Sequence, residues 1–202
     1  GHQMMVEKID LPRAEGKICQ GITTEINGNC GLSAAPLYGE AFGHREEDLR
    51  EYDIRERWST LSEYLGVLAG RKPSLNFVTL AGHGNIRASV QGYKNKIPDQ
   101  SEMQKMQALL RATVEQGAIG LSTGLIYPPG VYSATEELIG LLNLSSFIPR
   151  PSKFIYASHM RSEGDRLTES IEEIIRIGKE SGIHVHISHI KTSGQKNWHK
   201  ID

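Results

Sequence analysis

Hydrophobic and polar positions change period along the chain, and the change predicts strands that alternate with helices. Short runs rich in apolar and β-branched residues are followed by glycine-, asparagine- or proline-containing stretches such as GNCG, GHGN and TGLIYPPG, which we interpret as loops. We predict strands over residues 22–26, 75–80, 118–122, 154–157 and 183–188. Strands separated by helices favour a parallel α/β sheet.

The stretches between the predicted strands have mostly helical spacing. Residues 46–68 carry leucines and aromatic residues at this spacing and predict one helix. Residues 101–116 predict another, opened by a capping box of Ser101 and Gln104. A second capping box, Ser133 with Glu136, opens a helix over 135–142.

A further helix lies between the last two predicted strands. Its buried stripe consists of Leu167, Ile171, Ile174 and Ile175, and Gly182 is its expected C-cap. Residues 143–153, NLSSFIPRPSK, contain two prolines where a helix should lead into the next strand, and we interpret them as a loop.

Composition narrows the functional classes. The 202 residues suffice for one domain with a sizeable core, and 23 basic against 24 acidic side chains argue against a nucleic-acid partner. No apolar run approaches the roughly 18 residues of a membrane span, and GHQMMVEKID lacks a signal-peptide core. Two cysteines form no disulfide framework, so we expect a cytoplasmic protein.

Three residues that can bind a metal stand where strands are predicted to end. His159 closes FIYASH, His189 closes HVHISH, and Cys30 ends a third strand-like run, GITTEINGNC. In α/β barrels the carboxyl ends of the strands form the rim where chemistry takes place. A thiolate beside two imidazoles suits zinc, so we predict a zinc site there.

Other candidates near this rim have structural alternatives. We place Ile183, Val185 and Ile187 on the inner face with His189. His184 and His186 then face the helices and receive no role. For His83, in GHGN, three interpretations stay open: a group that contacts substrate, a residue behind the metal ligands, or a structural residue. Cys30 as a nucleophile paired with one histidine leaves the second histidine unexplained.

Four stretches resemble the N-acyl-D-amino-acid deacylase (D-aminoacylase) branch of the amidohydrolase superfamily. They extend from about Lys17 to Gly194 and read QGITTEINGNCGLSAAP, GHGNIRASVQG, GAIGLSTGLIYPPGVYSATEELI and YASHMRSEGDRL…HISHIKTSG. Together they are specific, although none is so alone. The resemblance implies a partial TIM-like (β/α) barrel and a zinc-dependent hydrolase that splits N-acyl-D-amino acids into a carboxylate and a D-amino acid.

The same resemblance assigns residue roles. It assigns the tightly bound zinc to Cys30, His159 and His189. These are the same three residues that their spacing along the sequence predicts. It gives Lys191 the substrate carboxylate and Tyr127 a substrate contact. Structural alternatives are a solvated loop lysine and a packed loop aromatic. A cyclic-amidase relative is disfavoured, because those enzymes bridge two metals with a carboxylated lysine where this chain has a cysteine.

The chain also departs from the family pattern. Only His2 could match the H-x-H pair of the first barrel strand, and Asp202 does not match the catalytic aspartate of the last one. We therefore expect one incomplete barrel domain over 1–202 without the flanking β-sandwich. It should bind zinc but hydrolyse little alone. Exposed edge strands should also favour homo-oligomers or poor solubility. The alternative is a non-catalytic or truncated fragment that binds metal without turnover.

Overall fold

In the computed structural model, which describes residues 13–143 and 153–201, short parallel strands alternate with helices. The six strands are β1 (Thr24–Asn27), β2 (Asn76–Thr79), β3 (Ala81–Gly82), β4 (Gly120–Gly124), β5 (Ile155–His159) and β6 (His184–Ile187). The predicted strands 22–26, 75–80, 118–122, 154–157 and 183–188 overlap five of them, and each predicted end differs from the observed end by one or two residues. The short strand β3 was not predicted separately.

The strands follow one another in space as they do along the chain. β1 pairs with β2, and β3, β4, β5 and β6 form a second parallel sheet in that order. Only Leu80 separates β2 from β3. The Leu80 amide donates to the Asn27 carbonyl at 3.0 Å, and the Ile119 amide donates to Thr79 at 3.0 Å. The strands thus form an open arc of parallel strands with helices between them, as expected for a partial (β/α) barrel.

Helices and strands enclose one hydrophobic core. The helices are α1 (Glu15–Ile18), α2 (Gly39–Glu51), α3 (Leu61–Gly70), α4 (His83–Gln91), α5 (Gln100–Glu115), α6 (Thr135–Leu142) and α7 (Leu167–Ser181), with 3₁₀ helices at Gly130–Tyr132 and Gln195–Lys200. Fully buried side chains include Leu110 of α5, Leu121 of β4, Tyr156 of β5 and Ile174 of α7. Within the described residues no helix has the length and apolar character needed to cross a bilayer.

The helix predicted over 46–68 is two helices. α2 ends at Glu51, and Asp53 has a positive φ of 50°, which a continuing helix does not allow. Thr60 then starts α3, since its side chain accepts from the Glu63 amide while Glu63 reaches back to the Thr60 amide. The apolar spacing was misleading because Trp58 lies in the loop between the two helices. Its side chain is buried there, and its indole donates to the Ala34 carbonyl.

The predicted capping boxes were also wrong in detail. Asp99 and Glu102 form the box of α5, instead of Ser101 and Gln104. No side chain caps α6, because its N-cap residue is Ala134. The Ser133 hydroxyl donates instead to the Gly130 carbonyl at 2.6 Å.

The other helix predictions had mixed outcomes. Gly182 caps α7 in the left-handed conformation, as predicted. Ile177 is buried in α7 where Ile175 was expected, and Ile175 is 42% exposed. The GHGN stretch is not a loop, since α4 begins at His83. The loop predicted over 143–153 falls almost entirely outside the described residues.

The two faces of β6 are the reverse of the prediction. Its register pairs His184 with Ile155 and His186 with Ala157, and paired residues of parallel strands point to the same side. Val185 lies on the other face, where its Cγ1 packs so closely on Gly178 of α7 that a Cβ there would come within 2.6 Å of it. His184 and His186 therefore share the inner face with His159, and both are exposed.

Candidate metal centre

Cys30, His159 and His189 converge at the carboxyl ends of three strands. One ligand atom from each, the Cys30 sulfur and one ring nitrogen per histidine, lies within 4.8 Å of the others. Cys30 Sγ is 3.7 Å from His189 Nε2, and the two imidazole rings are 4.4 Å apart at an interplanar angle of 82°. The spacing-based prediction that these residues meet therefore agrees with the geometry.

Two of these residues come from tight turns directly after their strands. Cys30 has φ 57° and His189 has φ 39°, both in the left-handed region. The chain can turn beside Cys30 because Gly31, at φ 76°, has no Cβ, which would lie 2.7 Å from the Gly124 amide. The turn at His189 redirects its side chain, so that strand alternation in β6 does not decide where the imidazole points.

The spacing of the ligand atoms fits a tetrahedral transition metal. Zinc bonds of about 2.3 Å to sulfur and about 2.0 Å to nitrogen place two such ligands about 3.5 Å apart. The observed 3.7 Å between Cys30 Sγ and His189 Nε2 is close to that value. Three ligands of this type leave a fourth position open for water or substrate.

The environment of His159 suits a metal ligand. Its Nε2 is buried and makes no hydrogen bond of acceptable geometry, although Glu163 Oε1 lies 3.1 Å away. Burial lowers the pKa of His159, and the neighbouring His189 lowers it further. The neutral imidazole that a metal requires is therefore favoured.

Glu163 and Lys191 lie beside Cys30, His159 and His189, which we call the metal group. Lys191 Nζ donates to Glu163 Oε1 and lies 3.3 Å from His189 Nδ1. The same carboxylate oxygen is 3.4 Å from His189 Nδ1. A carboxylate on the ring nitrogen that faces away from a metal fixes the orientation of a ligating histidine. No signal in the sequence predicted these contacts of Glu163.

Tyr127 also lies beside the metal group. Its ring is 5.6 Å from that of His159 at an angle of 82°, and its hydroxyl donates to the Cys30 carbonyl. Burial raises the pKa of Tyr127, and Cys30 raises it further, so the phenol keeps its proton. The predicted contact with substrate remains a prediction.

His83 is not part of the metal group. It is fully buried, and its Nε2 lies 2.8 Å from Glu137 Oε1. Arg87, also fully buried, donates to the same oxygen at 3.2 Å. His83, Arg87 and Glu137 thus form a buried ionic cluster that joins α4 to α6. His2 and Asp202 lie outside the described residues.

Comparison with known protein sequences finds relatives whose names describe related activities. No protein-family model matches the chain. D-aminoacylase of Alcaligenes xylosoxydans xylosoxydans is 37% identical over 182 residues, covering 90% of this chain and 37% of that protein. N-acyl-D-glutamate deacylase of the same organism is 33% identical over 202 residues, covering 99% of this chain and 40% of that protein.

A solved structure extends the similarity to three dimensions. The N-acyl-D-glutamate deacylase of Bordetella bronchiseptica, crystallised with zinc and a phosphonate mimic of the tetrahedral intermediate, superposes with a TM-score of 0.84 at 32% identity. The match covers 96% of this chain and 40% of that one. The chain therefore spans less than half the length of the relatives that it matches.

Proposed function

The chain belongs to the amidohydrolase family of D-aminoacylase and the N-acyl-D-amino-acid deacylases, and we propose that it serves zinc-dependent hydrolysis of N-acyl-D-amino acids. The products are a carboxylate and a D-amino acid. The observation that carries this proposal is the convergence of one thiol and two imidazoles within 4.8 Å. Relatives at 33–37% identity bear deacylase names.

The proposed metal is zinc, held by Cys30, His159 and His189. A sulfur with two nitrogens is a donor set that zinc accepts readily, and the left-handed turns at Cys30 and His189 present their donors to one point. When bound, zinc would polarise the acyl carbonyl and lower the pKa of a water molecule to about 7.

We propose that Lys191 binds the carboxylate of the substrate. Its ammonium group lies 3.3 Å from His189 Nδ1, so a carboxylate held there places the adjacent amide beside the metal ligands. Lys191 is half exposed, which leaves it accessible to a small molecule. In the structure this ammonium group donates a hydrogen bond to Glu163. A bound substrate carboxylate would share the ammonium group with Glu163 or displace Glu163 from it.

We propose that Tyr127, which lies beside His159 and Cys30, also contacts the substrate. Burial and Cys30 keep its phenol protonated, so it does not act as a base. Its proton is donated to the Cys30 carbonyl, and its oxygen is left to accept a hydrogen bond from the substrate. We assign no residue within 13–143 and 153–201 to the transfer of the substrate proton. The two proposed substrate contacts, Lys191 and Tyr127, therefore bind and orient.

A second candidate function is metal binding without turnover. The chain spans 37% of D-aminoacylase and 40% of N-acyl-D-glutamate deacylase, so much of the length of these relatives has no counterpart among its 202 residues. Both candidates share the zinc site and differ only in whether amide hydrolysis follows.

One experiment separates the two candidates. Zinc content would be measured by elemental analysis, and amine release would be followed with N-acetyl-D-amino acids, with the L-enantiomers as control. Zinc with release from D-substrates supports hydrolysis. Zinc without release favours metal binding alone, and a preference for L-substrates contradicts the deacylase proposal.

A further inference from the structure

Ser122 lies under the loop that carries Cys30. It is fully buried in β4, and its register partner Ala157 places it on the inner face of the sheet. Its hydroxyl accepts from the Gly31 amide at 3.0 Å and donates to the Gly28 carbonyl. One side chain thus binds the backbone on both sides of Cys30.

A second side chain, that of Tyr127, binds the carbonyl of Cys30 itself. The Tyr127 hydroxyl donates to it, and the neighbouring Gly31 carbonyl accepts from the Gly84 amide at 2.9 Å. Ser122 and Tyr127 are thereby the two side chains whose hydroxyl groups bind the backbone of residues 28–31 among the bonds described. Both come from the segment that begins with β4, so one part of the chain fixes the loop.

We propose that Ser122 and Tyr127 are positioning residues that hold the Cys30 sulfur against His159 and His189. This inference rests on the proposed metal site. The direction of a side chain follows from its backbone, and Cys30 has a left-handed φ of 57° that costs energy for a non-glycine residue. Hydrogen bonds on either side stabilise that conformation. Without them the loop can relax, and the sulfur turns away from the imidazoles.

The test compares Ser122→Ala with Thr123→Val in the 202-residue chain. Thr123 is an equally buried hydroxyl on the opposite face of β4, bound to Tyr156 at 2.9 Å and to Ser158 at 2.8 Å. It therefore controls for the loss of a buried hydrogen bond that does not involve the Cys30 loop. Thermal unfolding of the metal-free proteins would measure the structural effect of each change.

Metal affinity and cobalt absorption would give the decisive readouts. Zinc dissociation constants come from chelator competition, and the thiolate-to-cobalt charge-transfer band reports the cysteine bond directly. We expect Ser122→Ala to weaken zinc binding about 10- to 100-fold, the range for residues behind a metal ligand, and to weaken or shift the band. Thr123→Val should retain both wild-type values.

Tyr127→Phe keeps the inference testable if Ser122→Ala does not fold. A residue that only contacts substrate would leave zinc affinity unchanged, whereas a positioning residue would reduce it and alter the cobalt band. Wild-type affinity and absorption in Ser122→Ala, or in Tyr127→Phe where Ser122→Ala is unfolded, would overturn the inference. Absence of metal in the wild-type chain would instead contradict the proposed function.

Discussion

Cys30 Sγ lies 3.7 Å from His189 Nε2, although 159 positions separate the two residues along the chain. Each follows a parallel strand and each has a left-handed backbone, with φ 57° and 39°. The carboxyl ends of parallel strands meet at one edge of a sheet, which brings the residues near each other. The two turns then aim the donors at one another, so that the metal site depends on backbone conformation as much as on residue type.

Replacing Lys191 by alanine should weaken substrate binding without loss of metal. A hydrogen bond to a charged group contributes about 1.5–3 kcal/mol, so the affinity for an N-acetyl-D-amino acid should fall about 10- to 100-fold. Calorimetric titration of the zinc-loaded protein measures it. Lys196→Ala is the control, because Lys196 is an exposed lysine paired with Asp165. Equal affinities in the two variants would remove Lys191 from the site.

The buried cluster of His83, Arg87 and Glu137 should contribute strongly to stability. Glu137→Ala leaves the fully buried Arg87 without its carboxylate partner, and such a break costs about 3–5 kcal/mol. Glu136→Ala, next to it on α6, removes an exposed pair with Arg176 and should cost at most about 1 kcal/mol. Urea unfolding of both variants measures the difference. Similar midpoints would show that the cluster is not stabilising.

His159 should make the metal-free protein less stable in mild acid. Burial, and then His189, lower its folded pKa below the ordinary 6.5. The unfolded chain therefore binds a proton more readily, and the stability present above pH 6.5 is lost as pH falls through the lowered pKa. Urea midpoints across this range should fall less in His159→Gln than in the wild type or in His199→Gln, which changes an exposed histidine. Parallel pH profiles in all three would contradict this assignment.

The sequence was sufficient to predict the parallel strands and the convergence of Cys30, His159 and His189. Both depend on local signals: apolar runs for the strands, and Cys30, His159 and His189 at the positions where such runs end. The trio is robust because parallel strands bring their carboxyl ends together whichever residue begins the strand. Errors of one or two residues in the strand ends therefore did not affect the site.

Other features depend on contacts that no local pattern records. Trp58 has helical spacing along the sequence but lies in a loop, where its buried indole donates a hydrogen bond to the Ala34 carbonyl. The faces of β6 follow from its register with β5 and from the packing of Val185 on Gly178. Ser122 differs from any strand serine only because a loop about 90 residues earlier lies over it. Such long-range relationships require the folded structure.

Zinc stoichiometry of Cys30→Ala tests the central claim most directly. The matched control is Cys19→Ala, since Cys19 is the other free cysteine and is exposed outside the metal group. Elemental analysis of the purified proteins should give about one zinc per chain in the wild type and in Cys19→Ala. Cys30→Ala should lose most of its zinc because the thiolate ligand is gone. Full zinc retention in Cys30→Ala would contradict the account.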